Sequence, residues 1–147
     1  MATRNAVIDL GASASSMGDH SIRRIMWTGL TNATSDVGSW VPFSEWADRQ
    51  VHFWCANYLT AVASVIGAGG SISIQGTNDY DPVTNSAGYT FAILNDLNNN
   101  PLTQTANVIR AISEAPLWIR PAVIAGDGTT NGTVIIVARR LQPMISH

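Results

Sequence analysis

Short runs of alternating apolar and polar residues, separated by turn residues, set the pattern of this sequence. Residues 71–75 (SISIQ) alternate strictly, which predicts a half-buried strand, and the turn chemistry of residues 76–82 (GTNDYDP) ends it. Comparable runs predict further strands at 22–27, 51–55, 90–94, 118–124 and 133–139. No heptad or internal repeat is present, so the pattern predicts an all-β chain folded as an antiparallel two-sheet sandwich.

The alternation also predicts which side chains fill the space between the two sheets. The expected core residues are Ile72, Ile74, Phe91, Ile119, Val134 and Ile136. The last strand is apolar on both faces, which predicts that it is central to a sheet or that its outer face meets a partner. Pro121 is expected at an edge or a bulge, because proline cannot donate to a strand ladder.

The remaining segments have weaker patterns. Residues 126–132 contain both Asp-Gly and Asn-Gly, which predicts a hairpin between the strands at 118–124 and 133–139. A single helical turn is expected at 44–48, and residues 107–114 fit either a strand or a short helix. Residues 1–20 are expected to form an irregular N-terminal arm, followed by one domain over 21–147.

Composition narrows the classes of function. The chain has 147 residues, only 12% of them charged, and all eight basic residues are arginine. A surface with so few charges and no lysine indicates that other subunits cover part of it. The net charge of −2 gives no basis for non-specific nucleic-acid binding. Residues 51–68 lack charge, but their length and polar residues argue against a membrane span.

Catalytic and metal-binding motifs are not found. His20, His52 and His147 are far apart, and Cys55 has no second cysteine to share a metal. Asp79 and Asp81 lie in a loop where Asx turns are favoured over calcium binding. The sequence contains no nucleophile elbow, and its glycine cluster at 67–70 precedes a strand. We therefore expect no enzyme activity, no metal and no cofactor.

Aromatic residues supply the best candidate site. Trp40, Phe43 and Trp46 fall within seven residues, and Arg49 follows them. Tryptophan is enriched at protein interfaces, and arginine can form two hydrogen bonds to a carboxylate of a partner. We expect a partner interface at Trp40, Phe43, Trp46 and Arg49, aided by the arm. The competing interpretation is that two of these three aromatic side chains fill the core, and we expect this of at least one of them.

Several segments occur in the same order in a known family. They are GLTN (29–32), WADRQV (46–51), GGSISIQGTND (69–79), LND (94–96), PLT (101–103), EAP (114–116), IRP (119–121), GDGTT (126–130) and the terminal strand to residue 140. Over residues 27–140 the chain resembles a family of small virion structural proteins of tailed bacteriophages, the capsid cement or decoration proteins. It departs from that family at 58–67 and at 80–82, where a glycine turn is usual.

The resemblance implies a jelly-roll-like sandwich and a non-enzymatic role on the outer capsid surface of a virion. The implied partner is the major capsid protein, whose neighbouring subunits the protein would staple together. We also expect self-association, with a two-fold homodimer ahead of a trimer, because closed pairs are the commonest assemblies. The alternative is a carbohydrate-binding β-sandwich of a phage tail or fibre that uses Trp40, Trp46 or Trp118.

Overall fold

The computed structural model describes residues 3–10, 22–31, 36–44, 46–55, 71–83, 90–124 and 131–139. Within these ranges the chain is all β, with twelve strands and no helix. The strands are β1 (Thr3–Arg4), β2 (Val7–Leu10), β3 (Ile22–Thr31), β4 (Val37–Gly38), β5 (Val41–Pro42), β6 (Ala47–Cys55), β7 (Ser71–Thr77), β8 (Ala92–Ile93), β9 (Thr103–Gln104), β10 (Val108–Ala111), β11 (Trp118–Ile124) and β12 (Asn131–Arg139).

The strands form two sheets. Sheet A has the order β1-β4-β11-β7-β8, with β5 also pairing with β11 and β9 with β7. Sheet B has the order β10-β6-β12-β3-β2. From β3 onward the chain repeatedly crosses from one sheet to the other, so β3-β12-β6-β10 is opposed to β4/β5-β11-β7-β8/β9. This is the strand arrangement of a jelly roll, and it confirms the expected two-sheet sandwich.

The core lies between the sheets, where the inward-facing side chains of both sheets meet. Five of the six predicted core residues have no exposed surface: Ile72, Ile74, Ile119, Val134 and Ile136. The prediction for Phe91 is wrong, because 49% of this side chain is exposed. Phe91 precedes the two-residue edge strand β8, and on this short segment the alternation turns its ring to the outer face of sheet A.

The last strand is central, as its apolar pattern predicted. β12 pairs with β3 on one side and with β6 on the other. The predicted hairpin before it is wrong in one respect, because β11 belongs to sheet A and β12 to sheet B. The connecting residues 125–130 lie outside the described residues, but the two strands they join do not pair with each other.

Pro121 lies within β11, where it pairs with Ile74 of β7. On the opposite side β11 pairs with β5 and then with β4, and Pro121 faces the interruption between those short strands. The backbone N–H of Val123 donates to Asp36 on that side, at 2.8 Å. The backbone nitrogen of Pro121 points the same way, because strand residues alternate, and it meets the interruption where no donor is needed.

The start of the chain is not an irregular arm over its described part. β1 pairs in parallel with β4, and β2 pairs with β3 in antiparallel register. The Arg4 guanidinium forms a salt bridge of 2.9 Å with the buried carboxylate of Asp36. Residues 3–10 therefore contribute a strand to each sheet, and the predicted boundary at residue 20 falls among residues 11–21, which lie outside the described residues.

The two ambiguous segments are also resolved. In the turn predicted at 44–48, the Trp46 N–H donates a hydrogen bond to the Phe43 carbonyl at 3.3 Å, and residue 45 lies outside the described residues. Strand β6 begins at Ala47, so the predicted helical turn does not extend to residue 48. Residues 107–114 contain strand β10 and not a helix. Over the described residues we find no helix with the length and apolarity to cross a membrane. Of the uncharged run 51–68, only the part within β6 is described.

Candidate functional site

The predicted aromatic interface is divided between the interior and the surface. Phe43 has no exposed surface and Trp46 has 6%, and both belong to the hydrophobic core. The turn between β5 and β6 folds both rings inward, with the Phe43 N–H donating to the Leu117 carbonyl at 2.9 Å. The expectation that Phe43 and Trp46 contact a partner is therefore wrong, because these side chains already pack within their own chain.

Arg49 forms hydrogen bonds within its own chain beside this turn. Its guanidinium donates to the carbonyl of Trp46 at 2.8 Å and to that of Ser113 at 3.2 Å. It also lies 5.9 Å from the centroid of the Phe43 ring. Burial lowers the pKa of Arg49 below its ordinary value, while the nearby Glu114 and Asp48 carboxylates oppose that effect. The partner carboxylates expected at Arg49 are thus replaced by backbone carbonyls of its own chain.

Trp40 belongs to a different surface, the outer face of sheet A. There the Arg120 guanidinium carbon lies 4.4 Å from the Trp40 ring centroid and 5.4 Å from that of Phe91. The Arg120 Nε donates to the Gln75 side-chain carbonyl at 2.9 Å, and only 9% of Arg120 is exposed. The sequence pattern did not predict that the Arg120 guanidinium lies beside two aromatic rings. An arginine inside an otherwise apolar strand was the one feature that pointed to it.

Two open clefts lie near the ends of the strands. One, of about 410 Å³, is bordered by Phe91, Glu114 and Pro116, and the other, of about 440 Å³, by Arg49, Leu97 and Arg139. The Glu114 carboxylate accepts hydrogen bonds from the backbone and side-chain nitrogens of Asn95, at 2.7 and 2.9 Å. These hydrogen bonds join the segment after β10 to the segment after β8.

Acidic loop residues also bond within their own loops. The Asp79 carboxylate accepts from the Asp81 N–H at 3.4 Å, and that of Asp81 accepts from the Val83 N–H at 3.3 Å, as the Asx-turn prediction required. Tyr80, between them, is 91% exposed. Among the described residues, no three His, Cys, Asp or Glu side chains are grouped closely enough to hold a metal ion.

Sheet B presents the surface with the strongest interface character. Alternate residues of β3, β6 and β12 are buried in the core, so the residues between them face outward. We call this surface the outer B face. Its described members include Val7, Arg24, Met26, Gln50, His52, Trp54, Ile109, Ala111, Ile135 and Val137, together with Thr133, of which only 8% is exposed.

An apolar row crosses the whole outer B face. Strand register aligns Ile109, His52, Ile135, Met26 and Val7, one from each of the five strands. Ile109 is 57% exposed and Val7 52% exposed at the two ends of the row, while His52, Ile135 and Met26 between them are partly exposed. Exposed apolar residues scattered singly are ordinary, but a continuous row of them indicates an interaction surface. No residue of this row was among the predicted site residues, although the two-sided apolar pattern of β12 had indicated it.

Trp54 extends the apolar row along β6. It is 38% exposed, and its ring meets that of His52 edge-on, with 5.8 Å between the centroids. Three strands about 30 Å long and two about 13 Å long, spaced about 4.8 Å apart, cover about 560 Å². A standard interface buries about 800 Å² per partner. The strands of the outer B face therefore supply most of the area of a standard protein contact.

Comparison with known proteins yields only distant likenesses. No family model matches the chain, and no curated protein matches it. A cupin domain from Bordetella pertussis is 9% identical, with a TM-score of 0.39 over 95% of this chain and 98% of that one. A cupin protein from Bacteroides fragilis is 12% identical, with a TM-score of 0.35 over 97% and 81%.

Another similar structure is that of hydroxypropylphosphonic acid epoxidase from S. wedmorenis in complex with fosfomycin. It is 14% identical to this chain, with a TM-score of 0.34. The likeness covers 81% of this chain and 44% of the epoxidase, so this chain spans less than half the length of that protein.

Proposed function

We propose that this protein is a non-enzymatic structural component of a bacteriophage virion, a capsid cement or decoration protein. In this role it binds the outer surface of the shell and joins adjacent major capsid protein subunits. The observation that carries the proposal is the outer B face, where a row of four apolar side chains and His52 crosses all five strands of one sheet, exposed at Ile109 and Val7 and partly exposed between them. Such a surface on a chain with few charges suits a protein that works inside an assembly.

Two further features support the proposal. The resemblance to phage virion proteins covers residues 27–140, and the jelly roll is an architecture that viral capsid domains use. Lectins and cupins also have the jelly-roll architecture, so it supports the proposal by analogy with viral capsid domains. The mechanism is additive contact, because each copy contributes interface area and many copies act together on one shell.

The structure changes which surface of the protein we expect to hold the shell assembly together. Residues 3–10 are strands of the sandwich, and Phe43 and Trp46 are in the core. Deleting residues 2–20 would therefore remove two strands and not simply a binding arm. We assign the contact instead to the outer B face, with Trp54 and Ile109 as its most exposed large side chains on β6 and β10.

The decisive experiment is reconstitution on shells that lack the protein. Purified wild-type protein should co-sediment with such shells and saturate at a fixed stoichiometry visible by electron microscopy. A Trp54→Ser, Ile109→Ser variant should need roughly thirty-fold more protein for half-occupancy, as expected for losing about 2 kcal/mol. Leu97→Ser is the matched control, because Leu97 is 75% exposed in a turn outside this face.

Two results would count against the proposal. Wild-type protein that shows no saturable binding to shells at micromolar concentration would refute the virion role. Equal loading by the double variant and wild type would show that the shell assembly is held elsewhere on the surface.

A carbohydrate-binding module of a phage tail or fibre is the second candidate function. Tyr80 favours it, since a fully displayed ring beside Asp79 and Asp81 is suited to stacking on a sugar. Two of the tryptophans expected to bind the sugar are already engaged within the chain. Trp46 lies in the core, and the Trp40 ring packs against the Arg120 guanidinium. Glycan-array binding that disappears in Tyr80→Ala would support this function, and an array without signal would remove it.

A further inference from the structure

We propose that a second copy of this chain covers the outer B face, related by a two-fold axis that runs along the central strand β12. The proposal deepens the proposed function, on which it rests: the outer B face holds the shell assembly by joining two copies, each of which meets the major capsid protein through its remaining surface. β12 is the third of five strands in sheet B. A two-fold axis along it therefore exchanges β6 with β3 and β10 with β2 between the copies.

The apolar row is complementary to itself under this rotation. Ile109 then faces the partner's Val7, and Ile135, on the axis, faces the same residue of the second copy. His52 faces the partner's Met26, and a thioether against an aromatic ring is a favourable contact. Every member of the row meets a residue of matching character, as an isologous interface requires.

The next row of the face follows the same rule. Val137 lies on the axis, with Gln50 on the β6 side and Arg24 on the β3 side. Rotation brings Gln50 opposite the partner's Arg24, whose guanidinium donates to Met26 Sδ of its own chain at 3.4 Å, so two polar side chains face each other. The two Arg24 side chains lie on opposite sides of the axis, separated laterally by about 10 Å at a strand spacing of about 4.8 Å. The rotation therefore sets no like charges directly against each other.

Area and packing agree with this arrangement. The strands of the face cover about 560 Å² per copy. A stable dimer of standard size needs about 800 Å² per partner, so the rim and the side chains beyond the strand ends must supply about 240 Å². Face-to-face sheets pack about 10 Å apart with strands within about 30° of each other, so the stated pairs remain neighbours.

Sedimentation of the free protein tests the dimer. Wild type should be a dimer at micromolar concentration, and Ile135→Lys should raise the dimer dissociation constant at least tenfold, because two ammonium groups would meet on the axis. Leu97→Lys introduces the same charge outside the face and should leave the constant unchanged. Wild type that stays monomeric at high micromolar concentration overturns the proposal, as does Ile135→Lys with the wild-type constant.

Crosslinking tests the axis without placing a charge in the sheet. In a Cys55→Ser background, a short bismaleimide should join Ile135→Cys chains to each other. It should also join chains carrying both Val7→Cys and Ile109→Cys, but not chains carrying Val7→Cys alone, since those positions are about 19 Å apart laterally at the strand spacing. Efficient crosslinking of Val7→Cys alone overturns the axis.

The outcome is separable from that of the proposed function. Protein that is monomeric in solution but loads onto shells overturns the second copy as occupant and leaves the virion role standing. Protein that is dimeric with the predicted crosslinks but never binds shells supports the dimer and overturns the virion role.

Discussion

Replacing Phe43 with alanine tests the placement of the predicted interface aromatics in the core. Phe43 has no exposed surface, and Arg49 lies against its ring. Removing a fully buried aromatic side chain costs about 3–5 kcal/mol, because transfer energy is lost and a cavity remains. At about 2–4 °C per kcal/mol for a domain of this size, the Tm should fall by about 6–20 °C.

Phe91→Ala is the matched control, since it deletes the same atoms from a side chain that is 49% exposed. Half-burial of a phenylalanine corresponds to about 1 kcal/mol, and no closed cavity forms. Its Tm should fall by only about 2–4 °C. Thermal unfolding followed by far-ultraviolet circular dichroism gives both values, and urea unfolding with an unchanged m-value confirms that the change is in stability.

The comparison has a clear failing result. If Phe43→Ala melts within about 3 °C of wild type, well below the cost of a buried ring, the ring is not in the core. Equal effects of Phe43→Ala and Phe91→Ala would lead to the same conclusion. Phe43 would then be available to a partner, as the sequence pattern had predicted.

Two further predictions concern the backbone and acid stability. Gly38→Ala should lower the free energy of unfolding by at least about 1 kcal/mol through overpacking, because its Cβ would lie 2.5 Å from Pro121 Cδ and 2.7 Å from Trp27 Cδ1; an unchanged urea midpoint contradicts this. Hydrogen bonds from Asn100 lower the pKa of Asp96, so its stabilisation is present above about pH 4 and is lost as pH falls through the lowered pKa. Unfolding measured between pH 2 and 6 should therefore show a shallower acid dependence in Asp96→Asn, and identical slopes would refute the assignment.

The sequence alone determined the class of fold and much of its core. Strict alternation predicted that Ile72 and Ile74 lie on a buried face, and the structure buries both completely. The predicted half-burial of that strand is wrong, because Ser73 and Gln75 on its other face are buried as well. The two-sided apolar pattern of the last strand predicted either a central position in a sheet or an outer face that meets a partner, and β12 is central. These features were readable because they depend on the period of two along a single strand.

Tertiary structure decided which side of a short segment faces inward. Phe43 and Trp46 resemble interface residues by composition, but the turn between β5 and β6 directs both rings into the core. Phe91 lies in an apolar run, yet β8 pairs along only two residues at the sheet edge and leaves that ring outside. A segment of two or three residues has too little pattern to fix its own orientation, so the partner strands fix it.

Connections between strands were also beyond the sequence. Asp-Gly and Asn-Gly require the chain to reverse direction, but they do not say whether the flanking strands pair or belong to opposite sheets. β11 and β12 belong to opposite sheets, and residues 3–10 add a strand to each. The alignment of Ile109, His52, Ile135, Met26 and Val7 into one row likewise depends on the register of five strands distant in sequence. Each strand carries its own alternation, but only pairing places the outward residues of all five side by side.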